Sequence, residues 1–233
     1  MDTYKKTARI VGILFLIAMV TSLTGGGLSE SILNAPDYLI SISANVTQIW
    51  IGVFLELIDG IAVVGIAVML FPLIKQCNES MALGYVGFRF IESVFCTISA
   101  IIPLLLITLS REYIKAGTID VSQFHIVGTL LKTVRVTYLG SLLIPVFFAL
   151  GALLFYYSMF LSKLFPRFIS AWGLIGTILM LIMNLIDFNT TIKMILAMPI
   201  VLNEIFLAFW LIIKGFNSSV INSLMIKRQK IKH

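Results

Sequence analysis

The chain has 233 residues, of which 59% are hydrophobic and only 12% charged, with a mean hydropathy of +1.04. A water-soluble domain carries roughly 25% charged residues, so a soluble globular fold is excluded as the main architecture. The formal charge of +6 gathers toward the chain ends, where it fits anionic lipid better than nucleic acid.

Apolar stretches of about 20 residues read as membrane-spanning helices. Barrel strands would alternate apolar and polar positions over about 10 residues. Ile10 to Val20 and Val94 to Leu109 do not alternate. The expected fold is therefore an all-α, polytopic membrane helix bundle.

Six spans are predicted in chain order: Ala8 to Leu28, Val46 to Ile74, Leu83 to Leu109, Val134 to Leu161, Phe168 to Ile186 and Ile195 to Ile213. The first has a basic lead of Lys5, Lys6 and Arg9. No A-x-A site or lipobox cysteine follows it, and its apolar core outruns a signal sequence, so it reads as an uncleaved helix. Residues 1–216 form one six-span domain. Residues 217–233 form a basic tail with Lys227, Arg228, Lys230 and Lys232.

Between the first two spans, Asn34-Ala35-Pro36-Asp37 resembles a helix start with proline near the first turn. An interfacial helix over Tyr38 to Asn45 is expected. Between the third and fourth spans, Asp120-Val121-Ser122-Gln123 fits a capping box. The helix it opens would run through Phe124, Val127 and Leu131 into the fourth span.

Lys and Arg placement sets orientation. With the N-terminus inside, Lys5, Lys6, Arg9, Lys75, Lys163, Arg167, Lys214 and the tail fall on the inner side. Arg111, Lys115, Lys132, Arg135 and Lys193 fall outside. Both termini are expected in the cytoplasm, in a multi-pass membrane protein.

Pro103, Pro145 and Pro199 fall in the outer halves of their spans, where each removes a backbone donor. Ala18, Ser22 and Gly26 recur every four residues, as do Gly173 and Thr177, and such spacing lets helix backbones approach. Phe147, Phe148, Phe155, Tyr156 and Tyr157 read as a lipid-facing or interfacial stripe. Trp172 and Trp210 read as packing residues, and His125 as a solvated loop residue. No repeat supports an inverted-repeat transporter. Cys77 and Cys96 make no disulfide framework. With no CxxC pair and no histidine in a span, no metal or other cofactor is expected. No Ser–His or Cys–His pair or phosphate loop marks a catalytic residue.

Five ionisable residues interrupt the apolar runs: Glu56, Asp59, Arg89, Glu92 and Glu204. Charge at membrane depth is costly and marks a functional site by default. Glu56 and Asp59 share a helix face, as do Arg89 and Glu92. The short turn near Cys77 makes their helices antiparallel neighbours. It sets Asp59 opposite about Phe95, with Asp59 and Glu92 differing in depth by roughly 4 to 5 Å. Four acids against Arg89 leave an excess of negative charge. Some carboxyls must then hold protons, or a cation or water must enter. Arg135 at the outer mouth adds a positive charge, and Asn184 and Asn203 add amide donors.

The segments Glu56-Leu57-Ile58-Asp59-Gly60 leading to Phe71-Pro72, Ala82-Leu83-Gly84-Tyr85-Val86-Gly87-Phe88-Arg89-Phe90-Ile91-Glu92 and Gly151-Ala152-Leu153-Leu154-Phe155-Tyr156 form a signature. It continues in Pro166-Arg167-Phe168-Ile169-Ser170-Ala171-Trp172-Gly173, Pro199, Glu204 and Trp210 to Phe216. Together they resemble a bacterial six-helix membrane family catalogued as domain of unknown function 4386, over essentially the whole chain. The resemblance implies an inner-membrane protein and assigns no activity. It also implies an acidic residue after the arginine of the fourth span. Val136 stands there, which leaves Arg135 without an adjacent partner.

The leading functional reading is a small transporter-like or ligand-binding protein. In it Glu56, Asp59, Arg89, Glu92, Glu204, Arg135 and Asn203 serve a small-molecule or ion ligand within the lipid bilayer. The alternatives are a membrane enzyme acting on lipid and a non-catalytic partner or resistance subunit.

Overall fold

A bilayer offers backbone groups no water to bond, so the long apolar runs fold as helices that pair most of those groups internally. The computed structural model describes residues 2–117, 121–186 and 188–223. It contains α1 (Asp2–Leu33), α2 (Tyr38–Ala44), α3 (Val46–Lys75), α4 (Glu79–Ala116), α5 (Val121–Thr133), α6 (Ile144–Ser162), α7 (Arg167–Leu185) and α8 (Thr190–Ile213). A π-helical segment, Val134–Leu143, joins α5 to α6. Among the described residues, six helical stretches are long and apolar enough to cross a membrane, including a continuous Val121–Ser162. Large apolar side chains such as Ile61, Leu185 and Ile213 stay exposed, as lipid-facing residues do. The chain is an all-α, multi-pass membrane bundle.

The contacts divide the chain into two compact units. One comprises Met1–Leu16, Ala62–Ile91 and Pro145–His233; the other comprises Ile17–Ile61 and Glu92–Ile144. The first unit packs around Ile66, Leu70, Ile74, Phe155, Met159, Leu207 and Leu211. The second packs around Leu33, Leu39, Ile42, Ile49, Ala100, Leu106 and Leu139.

In the first unit, Phe155 and Tyr156 are core residues at 3% and 1% exposure, while Tyr157 is exposed. The expected outward stripe thus splits, because 155 and 156 face α7 and the ends of α1 and α4. Gly173 lets the Tyr156 ring lie against α7, and Gly176 lets α7 approach the backbone of Ile200. Buried Thr177 turns its hydroxyl onto the Gly173 carbonyl at 2.7 Å. The Gly173/Thr177 face is therefore a packing face.

In the second unit, the close approach of α1 and α3 uses a different stripe from Ala18, Ser22 and Gly26. Ser22 is exposed, and a Cβ at Gly26 would meet nothing within 4 Å. The contact runs through Gly25 and Ser29 instead. A Cβ at Gly25 would lie 2.8 Å from the Gly52 carbonyl. Small residues occur on both faces, and spacing alone does not say which one meets a neighbour.

α2 begins at Tyr38, so Pro36 precedes the helix rather than entering its first turn, and Asp37 makes no side-chain cap bond. Its buried face of Tyr38, Leu39 and Ile42 packs into the second core. The Ser110 hydroxyl donates to the Leu39 carbonyl, and Lys132 sits 4.4 Å above the Tyr38 ring. His125 lies on α5, edge-on to Tyr113 at 5.5 Å. Asp120 of the expected capping box and the basic residues 227–232 lie outside the described residues. The helix expected after that box is present and runs into the fourth span without a break.

Candidate functional site

Arg135 is buried, at 5% exposure. Its Nη2 donates to Glu56 Oε1 at 2.6 Å, and its Nη1 donates to Glu56 Oε2 at 3.1 Å. Nη1 also reaches the Ser99 carbonyl and, at 3.2 Å, the Ser99 hydroxyl. Two parallel N–H···O bonds are the geometry in which a guanidinium binds a carboxylate most strongly. The side chains of Arg135 and Glu56 are 6% and 12% exposed, so little solvent screens them. With valine at position 136, the acid that pairs with Arg135 comes from α3 instead.

The π-helical segment places this arginine. Pro145 has no N–H, and its ring crowds the carbonyl four residues back, at Ser141. The chain widens upstream: Ile144 N–H bonds Leu139 O, five residues back. The Ser141 hydroxyl donates to Val136 O, also five back, at 2.9 Å. Gly140 tolerates the wider turn, since a Cβ there would lie 3.1 Å from the Arg135 carbonyl. π-segments inside α-helices gather at functional sites.

Asp59 and Glu92 belong to the same unit as this pair. Their helices touch beside them: the Ser93 hydroxyl donates to the Gly60 carbonyl at 2.9 Å. Gly60 permits this, as a Cβ would stand 3.1 Å from that hydroxyl. The register sets Asp59 across from about Val94, one residue from the expected Phe95. The depth offset from Glu92 is then roughly 3 Å. Glu92 is 4% exposed and Asp59 is half-buried.

Arg89, Glu204 and Asn203 belong to the other unit. Arg89 is buried against Gly151, with its guanidinium 5.1 Å from the Phe148 ring centre. Glu204, Arg89 and Tyr85 lie within electrostatic reach of Tyr156. Asn203 donates to the Ile169 carbonyl at 2.9 Å, tying α8 to α7. Asn203 Oδ1, Ser170 Oγ and Tyr156 Oη are buried without a hydrogen-bond partner among the described residues. A buried polar atom left so costs about 1–3 kcal/mol. Asn184 instead bonds its own helix at Met180 O.

The sequence-predicted residues are divided between the two units. Glu56, Arg135, Asp59 and Glu92 belong to one, and Arg89, Glu204 and Asn203 to the other. Ser99, Tyr156 and Ser170 were not singled out from sequence. Ser99 was discoverable as a hydroxyl one turn from the polar run on α4. Tyr156 was hidden in an aromatic cluster.

A family model described as "Domain of unknown function (DUF4386)" matches residues 10–215. The chain belongs to the DUF4386 family. The match covers five of the six long apolar stretches in full and most of the first, so Glu56, Arg135 and Glu204 sit within the family's own extent. No curated protein and no solved structure matches the chain.

Proposed function

We propose that this DUF4386 member is a transporter-like or ligand-binding protein of a bacterial cytoplasmic membrane, with both chain ends inside. Asp59 and Glu92 are its working acids, and Glu56–Arg135 is the fixed strut beside them. The observation that carries this is the two-pronged bond of Arg135 to Glu56. It commits that guanidinium to one carboxylate and cancels its charge locally. Asp59 and Glu92, on helices that touch at Gly60 and Ser93, are the acids that exchange protons or hold a cation in this reading. Ionisable groups at such depth are costly unless used. Arg89 and Glu204, with Asn203 and Tyr156, supply a second polar centre. The orientation is supported by the Lys and Arg bias.

The test is proton movement in proteoliposomes loaded with a pH-sensitive dye, under an imposed pH gradient. The wild-type chain should pass or take up protons. Asp59→Asn and Glu92→Gln should each abolish the signal. Signals equal to wild type in both variants would end this reading.

A second reading, a non-catalytic partner subunit, is favoured by the tightness of the Glu56–Arg135 bond. Under it, neither neutral variant changes proton uptake, and a specific membrane protein co-purifies with the chain.

A further inference from the structure

An open groove of about 510 Å³ lies in the first unit where α6 and α8 end and α7 begins. Lys163, Arg167 and Lys214 line it, together with Trp210, Asn217 and Ser218. Its lining residues include no carboxylate. Each cation has a structural reason to be there. Lys163 takes a left-handed backbone, φ 57°, just past the end of α6, a conformation L-residues seldom adopt. Gly215, at φ 72°, ends α8 with its N–H on the Trp210 carbonyl, so Lys214 stands at the last turn. Arg167 opens α7 and lies 5.2 Å over the Phe160 ring. Three formal charges outweigh the two half-charges of the helix C-termini nearby, and the first N–H groups of α7 add positive potential.

We infer that this groove binds the phosphate of an anionic phospholipid headgroup. Basic pockets between membrane helices bind such headgroups. The surroundings favour a lipid over free phosphate. Exposed Leu161, Phe168 and Ile213 lie within two residues of the cations in the chain, while Asn217 and Ser218 are exposed polar residues that line the groove. The change from apolar to polar surface at residues 213–218 is where a bilayer holds its phosphates, and half-buried Trp210 is an aromatic of the kind that anchors there. Acyl chains would run along the apolar faces of α7 and α8. This inference does not depend on the proton chemistry proposed above.

The test uses the full chain in detergent. Retained phosphatidylglycerol and phosphatidylcholine are counted by native mass spectrometry, with inorganic phosphate as a third probe. The wild-type chain should prefer phosphatidylglycerol. Each of Lys163→Gln, Arg167→Gln and Lys214→Gln should weaken that lipid about fivefold, and the triple variant should lose the preference. Lys163→Arg should keep it, and so should the pair Lys5→Gln and Lys6→Gln, which removes charge outside the groove. Thermal melting in phosphatidylcholine reports that each variant is folded; if the triple variant is not, the three single variants decide. Equal loss from the Lys5/Lys6 pair would mean diffuse surface attraction and overturn the inference. Inorganic phosphate displacing the lipid at millimolar levels would mean a free-anion site and overturn it as well.

Discussion

Arg135 and Glu56, 79 residues apart in the chain, meet through two guanidinium nitrogens at 2.6 and 3.1 Å. The pair joins α3 to the fourth span inside one unit, and Ser99 of α4 completes it. Removing one partner of a buried ion pair strands the other charge, at a cost of about 3–5 kcal/mol. That far exceeds the roughly 0.6 kcal/mol of an average interhelical hydrogen bond in a membrane. Glu56→Ala and Arg135→Ala should each lower the melting temperature sharply in detergent. The double variant Glu56→Leu/Arg135→Met should recover most of the loss. Single variants that melt like the wild-type chain would show that the pair bears no stability.

The π-helical segment holds Arg135 in register, so Pro145→Ala should act through that residue. A restored N–H allows the chain to tighten toward α-helix and rotates Arg135 away from Glu56. In a Pro145→Ala background, Arg135→Ala should therefore cost less than in the wild-type chain. A melting double-mutant cycle measures this, and full additivity would disconnect the proline from the ion pair.

The helix contact through Gly25 and Gly52 separates two glycines that look alike in sequence. A Cβ at Gly52 would sit 2.9 Å from the Gly25 carbonyl, a backbone atom with little room to move. Gly52→Ala should destabilise by about 1–3 kcal/mol, as overpacking does. Gly26→Ala meets nothing within 4 Å and should be neutral or stabilising by about 0.5 kcal/mol, given glycine's cost within a helix. Thermal melting of the two variants side by side checks the contrast.

The six spans were legible in the sequence because bilayer thickness imposes a length of apolar run that few other constraints mimic. The α3–α4 hairpin was legible to within one residue, since a short turn leaves little freedom of register; Gly60–Ser93 fixes the remainder. The partner of Arg135 was not legible. Its face depends on how far the helix is unwound ahead of Pro145, and periodicity assumes an unbroken α-helix. The burial of Phe155 and Tyr156 was hidden for a related reason. In a membrane both faces of a helix are apolar, so hydrophobicity does not distinguish the core side from the lipid side. The outline of the candidate site was readable as charges at depth, but which of the two units each belongs to required the packing.

The assignment of Asp59 and Glu92 as the acids that exchange protons, with Glu56 locked to Arg135, is the central claim. pH-difference infrared spectroscopy of the chain in lipid follows carboxyl protonation directly. Asp59→Asn and Glu92→Gln should each remove part of the protonated-carboxyl band that grows on acidification, while a folded Glu56→Gln variant should leave it in place. A band that persists in both Asp59→Asn and Glu92→Gln, or disappears only in Glu56→Gln, would contradict the account.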